Sequence, residues 1–225
     1  MPSEEMLVLA SSKKLGGRCV AGITRSGNWV RPVSGRPQGL LKPECEVEGS
    51  WPEVLDVVRF GYEEELDDPA QPENLLIDDS RWELLRQVPR DEAYGRLSGF
   101  LDEGHTLLGN RGRAVPEETA AQGVEASLAL VEPRDGVSLI MRPPEEEYGQ
   151  YKPRVEFGFG ARVYALAVTD IPVRAAVRAA GVGEYSPSDL GFDDTGPTLL
   201  TVSLGEAHDG WHTKLAAAVI FLPGG

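Results

Sequence analysis

Residues 18–33 read RCVAGITRSGNWVRPV, and the fold is decided here. Arg18 to Thr24 and Asn28 to Val33 are rich in apolar and β-branched residues, with Arg25, Ser26 and Gly27 between them. Two strand-like runs flanking a Ser-Gly turn predict an antiparallel hairpin. Pro32 has no N–H to give a neighbouring strand, so it predicts an edge or exit position at the end of the second run. Upstream, Met6 to Ala10 is apolar, and downstream, Val54 to Tyr62 has strand-like composition. No helix-length crossover separates the first strands, which predicts an antiparallel sheet.

Further along, the chain changes character. Asp78, Asp79 and Ser80 are placed to cap a short helix carrying Trp82, Leu84 and Leu85. A second helix is predicted after Asp91, where Ala93, Tyr94, Leu97, Phe100 and Leu101 recur at helical spacing and Gly104 follows. Pro116 and Gly123 bracket a third. Strand-like runs resume over residues 126–131, 137–141, 154–158, 162–169, 199–204 and 215–222. Asp170, Ile171 and Pro172 open a compact helix over 172–180, stopped by Gly181, which puts Arg174 and Arg178 on one face. Residues 183–197, rich in Gly, Ser, Pro and Asp, predict an exposed loop. The expectation is a mainly β chain of two antiparallel units joined by a short helical connector. The first unit spans 1–72 plus part of 73–123, and the second spans 124–225. Small OB-like barrels and paired sandwiches both suit such strands, and periodicity does not choose between them.

The 225 residues include 26 glycines and 17 prolines, which favours many short elements over long bundles. A chain this long buries roughly 70 % of its unfolded surface and needs no disulfide or metal staple. Cys19 and Cys45 are the only cysteines and lack metal-type spacing, so a disulfide scaffold and a cysteine-rich zinc site are excluded. The N-terminus is acidic where a leader peptide is basic, and the longest apolar run, 215–222, is under half a membrane span. A cytoplasmic location with no membrane contact is the expectation.

With 22 bases against 36 acids the net charge is −14, which opposes any general coating of a polyanion. The distribution is uneven, however. No carboxylate occurs from Ser12 to Lys42, a stretch holding Lys13, Lys14, Arg18, Arg25, Arg31, Arg36 and Lys42. Glu44 to Glu83 then holds fourteen carboxylates against Arg59 and Arg81. A basic island attracts phosphate if it forms one face, since the local field decides. The competing reading is mutual neutralisation of the two segments. Trp29 and Arg31, two apart in a strand, share a face. Lys13 and Lys14 precede Gly16 and Gly17, where backbone can approach a ligand closely. An aromatic plane beside guanidinium groups stacks a base and holds its phosphate. Lys13, Lys14, Arg18, Trp29 and Arg31 are therefore the predicted binding face for single-stranded nucleic acid or a nucleotide. In the alternative Trp29 is a core residue.

Catalytic constellations are sparse. His208 and His212, with Asp209 beside them, have the spacing of a helical metal site, but Gly205, Asp209 and Gly210 point to a turn. A metal-dependent enzyme or hydrolase using these three residues is one rival reading. Another is a protein-interaction or scaffold subunit that docks through its acidic surface. No nucleophile elbow, Walker A loop or dinucleotide fingerprint occurs. Cys19 reads as a buried structural thiol. The runs Glu63 to Glu65, Asp67 to Asp68 and Glu145 to Glu147 read as solvated loop charge. Neither cofactor nor metal is expected.

Residues 7–23 (LVLASSKKLGGRCVAGI) with 27–34 (GNWVRPVS) resemble the start of the dual-OB-containing domain. Gln71 to Asn74 (QPEN) resembles the short motif that follows its first barrel, and 164–170 (YALAVTD), 201–206 (TVSLGE) and 214–218 (KLAAA) are similar to its second half. The resemblance implies two OB-like barrels, nucleic-acid or nucleotide recognition, and an association with bacterial conflict or defence systems, and the reading of the residues adds that the module is non-catalytic.

Overall fold

A computed structural model describes residues 2–143 and 151–224; Glu145, Glu146 and Glu147 lie outside the described residues. The first half contains β1 (Ser3–Lys13), β2 (Arg18–Ile23), β3 (Trp29–Val33), α1 (Lys42–Cys45), β4 (Asp56–Glu65), β5 (Asn74–Ile77) and β6 (Glu83–Gln87). β2 and β3 form the expected hairpin, pairing Gly22 with Val30 and Ile23 with Trp29. β1 pairs with β4 through its first half and with β2 through its second, so the ring β1-β2-β3-β5-β4 closes on itself. This is the five-stranded connectivity of an OB barrel. Closure requires a parallel pairing that the sequence reading missed: Arg31, Pro32 and Val33 run alongside Asn74, Leu75 and Leu76. The sheet is thus not purely antiparallel.

The helix expected over Asp78 to Leu85 is absent. The segment runs into β6, which pairs with β4, and Trp82 packs on Phe60 with ring centroids 5.1 Å apart. Period-two burial of Trp82 beneath the barrel overrides the capping signal of Asp78, whose carboxylate instead accepts from the Ser80 N–H at 2.8 Å. α2 (Arg90–Leu97), two 3-10 turns (Ser98–Phe100 and Leu107–Gly109), β7 (Ala114–Pro116) and α3 (Glu117–Ala120) follow.

The second sheet contains β8 (Leu128–Val131), β9 (Val137–Met141), β10 (Arg154–Phe159), β11 (Arg162–Val168), β12 (Gly183–Tyr185), β13 (Thr198–His208) and β14 (Trp211–Phe221), with α4 (Ile171–Ala180) after β11. Its order is β12-β9-β10-β11-β14-β13-β8, with β11 parallel to β14 and β7 beside β14. β8 pairs with β13 and β9 with β10, so the two together occupy the position that β1 fills in the first barrel. Asp170 caps α4 by accepting from the Val173 N–H at 2.9 Å, and Gly181, at φ 89°, ends it. Residues 183–197 are not wholly an exposed loop: they contain β12, and Phe192 stacks on Phe221 at 4.8 Å.

The barrels do not merely touch. Met6 and Val8 point into the first barrel, while Leu9, Ala10, Ala21 and Ile23 join Leu128, Leu130, Leu199 and Ile220 in an apolar cluster between the two. Burial on both faces explains the continuous apolar run at the start of β1. Two bulges meet there. Leu9 is the extra residue in β1 and Ala217 the extra residue in β14, and the Leu9 carbonyl accepts from Thr201 Oγ1 at 2.7 Å.

Candidate nucleic-acid interface

Beyond Val30, β2 and β3 separate. Pro32 lacks the N–H that would continue the ladder, and Arg18 of β2 turns instead to Leu40, exchanging two backbone hydrogen bonds at 2.9 Å. A cleft of about 700 Å³ enters through this gap. One wall is the first barrel: the β2 and β3 ends, the β1–β2 loop at Lys14 and Leu15, and the β4–β5 loop at Leu66, Asp68 and Gln71. In OB folds these are the elements that bind ligands. The second barrel supplies the opposite wall from α4, β13 and β14, so a surface open in a single barrel is roofed here.

The β1–β2 loop is held tight against the barrel. A Cβ on Gly17 would collide with the Leu40 carbonyl, which accounts for glycine at that position. The β4–β5 loop is organised by Asp68, whose carboxylate accepts from the N–H groups of Ala70 and Gln71 at 2.9 and 3.2 Å. Asp68 is thus half-buried structure rather than solvated loop charge, whereas Glu63, Glu64 and Glu65 are exposed as expected.

The QPEN residues do not follow the first barrel; Asn74 opens its last-closing strand, β5. Gln71 Nε2 donates to the Leu204 carbonyl at 3.0 Å. The Glu73 carboxylate accepts from the Ser127 N–H and hydroxyl at 2.5 and 2.8 Å. Asn74 Oδ1 receives Arg31 at 3.5 Å. The motif is a clamp between barrels, and Arg31 lies at its centre.

Of the five residues predicted to form a binding face, four line the cleft: Lys13, Lys14, Arg18 and Arg31. Trp29 does not. Its ring is half-buried against the inter-barrel apolar cluster, away from the lining residues, which is the core placement weighed against stacking. Arg31 is not on an open face either. Only 2 % exposed, it donates from one terminal nitrogen to Ser127 Oγ at 2.8 Å and Ser203 Oγ at 3.2 Å, and its Nε is buried without a partner. Lys13 is exposed, and Lys14 reaches across the mouth to Glu206 at 2.6 Å. Arg18 lies 4.6 Å over the Trp51 ring and donates to Ser11 Oγ at 3.0 Å; burial lowers its pKa. Neutralisation by the acidic stretch is slight: among the described residues, Arg36 with Glu44 at 2.8 Å is the one ion pair between the island and residues 44–83.

The sequence reading missed three bases of the cleft. Arg36 comes from the β3–α1 segment and Arg174 from α4, where the pKa is lowered by burial and then by the charge of Arg178. The pairing of Arg174 with Arg178 on one helix face was the available signal. The third, His212, lies on β14 and is bonded through Nδ1 to the Gly205 carbonyl at 2.8 Å, so that nitrogen carries the proton. His208 sits across the hairpin beside Trp211 and is exposed. Asp209 and Gly210 form its turn with φ of 50° and 79°, so the helical metal geometry does not arise. Among the described residues no group of three or more His, Cys, Asp or Glu is placed to hold a metal ion. Cys19 lines the cleft half-buried; the fully buried thiol is Cys45. No helix among the described residues is long and apolar enough to cross a membrane.

Six permanent cations therefore face two carboxylates, Asp68 and Glu206, in a cleft on an otherwise acidic molecule. A closed OB barrel paired with a second sheet of like connectivity is a fold of the nucleic-acid-binding type. The chain belongs to the dual OB-containing domain family, whose model matches residues 4–219. Neither a curated protein nor a solved structure matches it significantly.

Proposed function

We propose that the protein is a non-catalytic recognition module that binds single-stranded nucleic acid or a nucleotide in the inter-barrel cleft. The observation that carries this reading is the excess of cations at the OB ligand position, with Arg18 and Arg174 partly removed from water. Positive charge held in low dielectric without carboxylate partners favours an anion. The cleft volume lies within the ~300–1,000 Å³ typical of small-ligand sites.

Fluorescence anisotropy with labelled single-stranded DNA, RNA and nucleotides, across a salt series, tests the reading. Affinity falls as salt rises, because phosphate contact releases counterions. Arg174→Glu weakens binding at least tenfold, with thermal stability changed little, since the side chain is half exposed. Absence of binding at low salt, together with a stoichiometric basic protein partner, would replace this reading with the docking one.

A further inference from the structure

The cleft has a mouth and a floor. Leu15 at the mouth is 81 % exposed, whereas Arg31, Asn74 and Ser203 at the floor are 2, 5 and 7 % exposed. The floor is a hydrogen-bonded wall crossing both barrels, from Asn74 through Arg31 to Ser127 and Ser203. The flanks are also joined. Lys13 N–H donates to the Thr169 carbonyl at 2.9 Å on one side, and Gln71 donates to Leu204 at 3.0 Å on the other. The cleft is thus floored by buried polar side chains, and its two walls are tied together beside that floor.

The lining points the same way. Sites that track a continuous strand use successive aromatic platforms, one for each base. Among the described residues His212 is the only aromatic ring lining this cleft; its apolar surface is aliphatic, as at Pro32, Val33 and Leu215. The buried Nε of Arg31 has no acceptor, an omission that costs free energy unless a ligand or water supplies one.

We infer that the cleft reads an end: it takes a terminal phosphomonoester, on a free nucleotide or at the tip of a single strand, and rejects the interior of a strand. This rests on the nucleic-acid reading above. A terminal phosphate carries about −1.5 to −2 charge near neutral pH and three acceptor oxygens, against a single charge on an internal diester. Arg18, Arg36 and Arg174 supply donors around it, and the attached nucleoside lies along the aliphatic wall.

The test compares one internally labelled oligonucleotide in four forms: 5′-phosphorylated, 3′-phosphorylated, unphosphorylated and ligated into a circle. The expected result is that at least one phosphorylated linear form binds ten or more times more tightly than the circle and the unphosphorylated form. A nucleoside monophosphate competes with it, and Arg174→Glu abolishes the preference. Equal affinity for circle and phosphorylated ends overturns end reading. If Arg174→Glu weakens both equally, the cleft remains the nucleic-acid site. Failure of all four forms to bind overturns end reading and the nucleic-acid reading alike. Selectivity for the phosphorylated end that survives both Arg174→Glu and Arg36→Glu also overturns the inference, by placing the end elsewhere.

Discussion

The first barrel buries Arg31 and the second buries Lys214, and the two side chains are held differently. Arg31, on β3 of the first barrel, spreads its guanidinium over side chains from both barrels and carries its charge to the floor of the cleft. Lys214, on β14 of the second, is fully buried over the Tyr164 ring, and its ammonium donates to two backbone carbonyls, Leu107 at 2.5 Å and Asn110 at 2.7 Å. The first base joins two domains and lines a binding space; the second ties down one connecting loop. The choice of residue follows the task. Guanidinium offers five donors in a fixed fork and does not lose its proton, while an ammonium is a compact charge that can.

The largest effect is expected at Arg31. Arg31→Met leaves Ser127, Ser203 and Asn74 without their shared donor, and Ser127 is the residue that also holds the Glu73 carboxylate. Destabilisation on the order of 3 kcal/mol follows, read by urea denaturation. Arg31→Lys does not restore it, because one ammonium cannot reach Asn74, Ser127 and Ser203 together. A loss below about 1 kcal/mol in Arg31→Met would show that the clamp holds without its cation, and would break the contrast with Lys214.

Lys214 sharpens the contrast through pH. Burial lowers its pKa from 10.5 to about 8, so the folded chain binds its proton less readily than the unfolded chain does. Between about pH 8 and 10.5 the unfolded state binds more protons, and stability contributed by this group rises with pH. The penalty is fully present below pH 8 and is relieved as the amine loses its proton. Relative to Lys214→Met, the wild-type protein gains on the order of 3 kcal/mol across that window, measured by denaturation at several pH values. A flat difference curve would mean that the carbonyl pair holds the ammonium charged throughout. Arg31 gives no such slope, since guanidinium does not titrate there.

The same contrast shows what could be read beforehand. The hairpin around Ser26 and Gly27, the cap at Asp170 and the stop at Gly181 are local, and residue type alone specified them. Pro32 does not end its strand, since β3 continues beside β5 to Val33, but its missing N–H stops the pairing with β2 where the cleft opens. Partners far apart in the chain were another matter. A strand containing an arginine looks the same whether that side chain meets solvent or Ser127 and Ser203 of another barrel. Trp82 followed a capping signal on paper but packs on Phe60, because β6 finds a neighbour in β4. Arg174 joined the cleft only once α4 was folded against the first barrel, so the basic island in residues 12–42 told half of the site.

The smallest expected effect separates the two cysteines, which stand on opposite sides of the first barrel's wall. Cys45 is fully buried, and its thiol is pushed up to about 12 by burial and then by the Glu44 carboxylate, so thiolate is scarce at ordinary pH. Cys19 is half-buried and lines the cleft. Ellman's reagent should therefore modify one thiol quickly, and the second only as fast as the barrel opens. Cys19→Ser removes the fast phase, and Cys45→Ala removes the slow one. A nucleotide held in the cleft covers Cys19 and slows the fast phase several-fold while leaving the slow phase in place. Equal rates for both thiols would overturn the difference in burial. Protection of neither by a bound nucleotide would place the ligand outside the gap between β2 and β3.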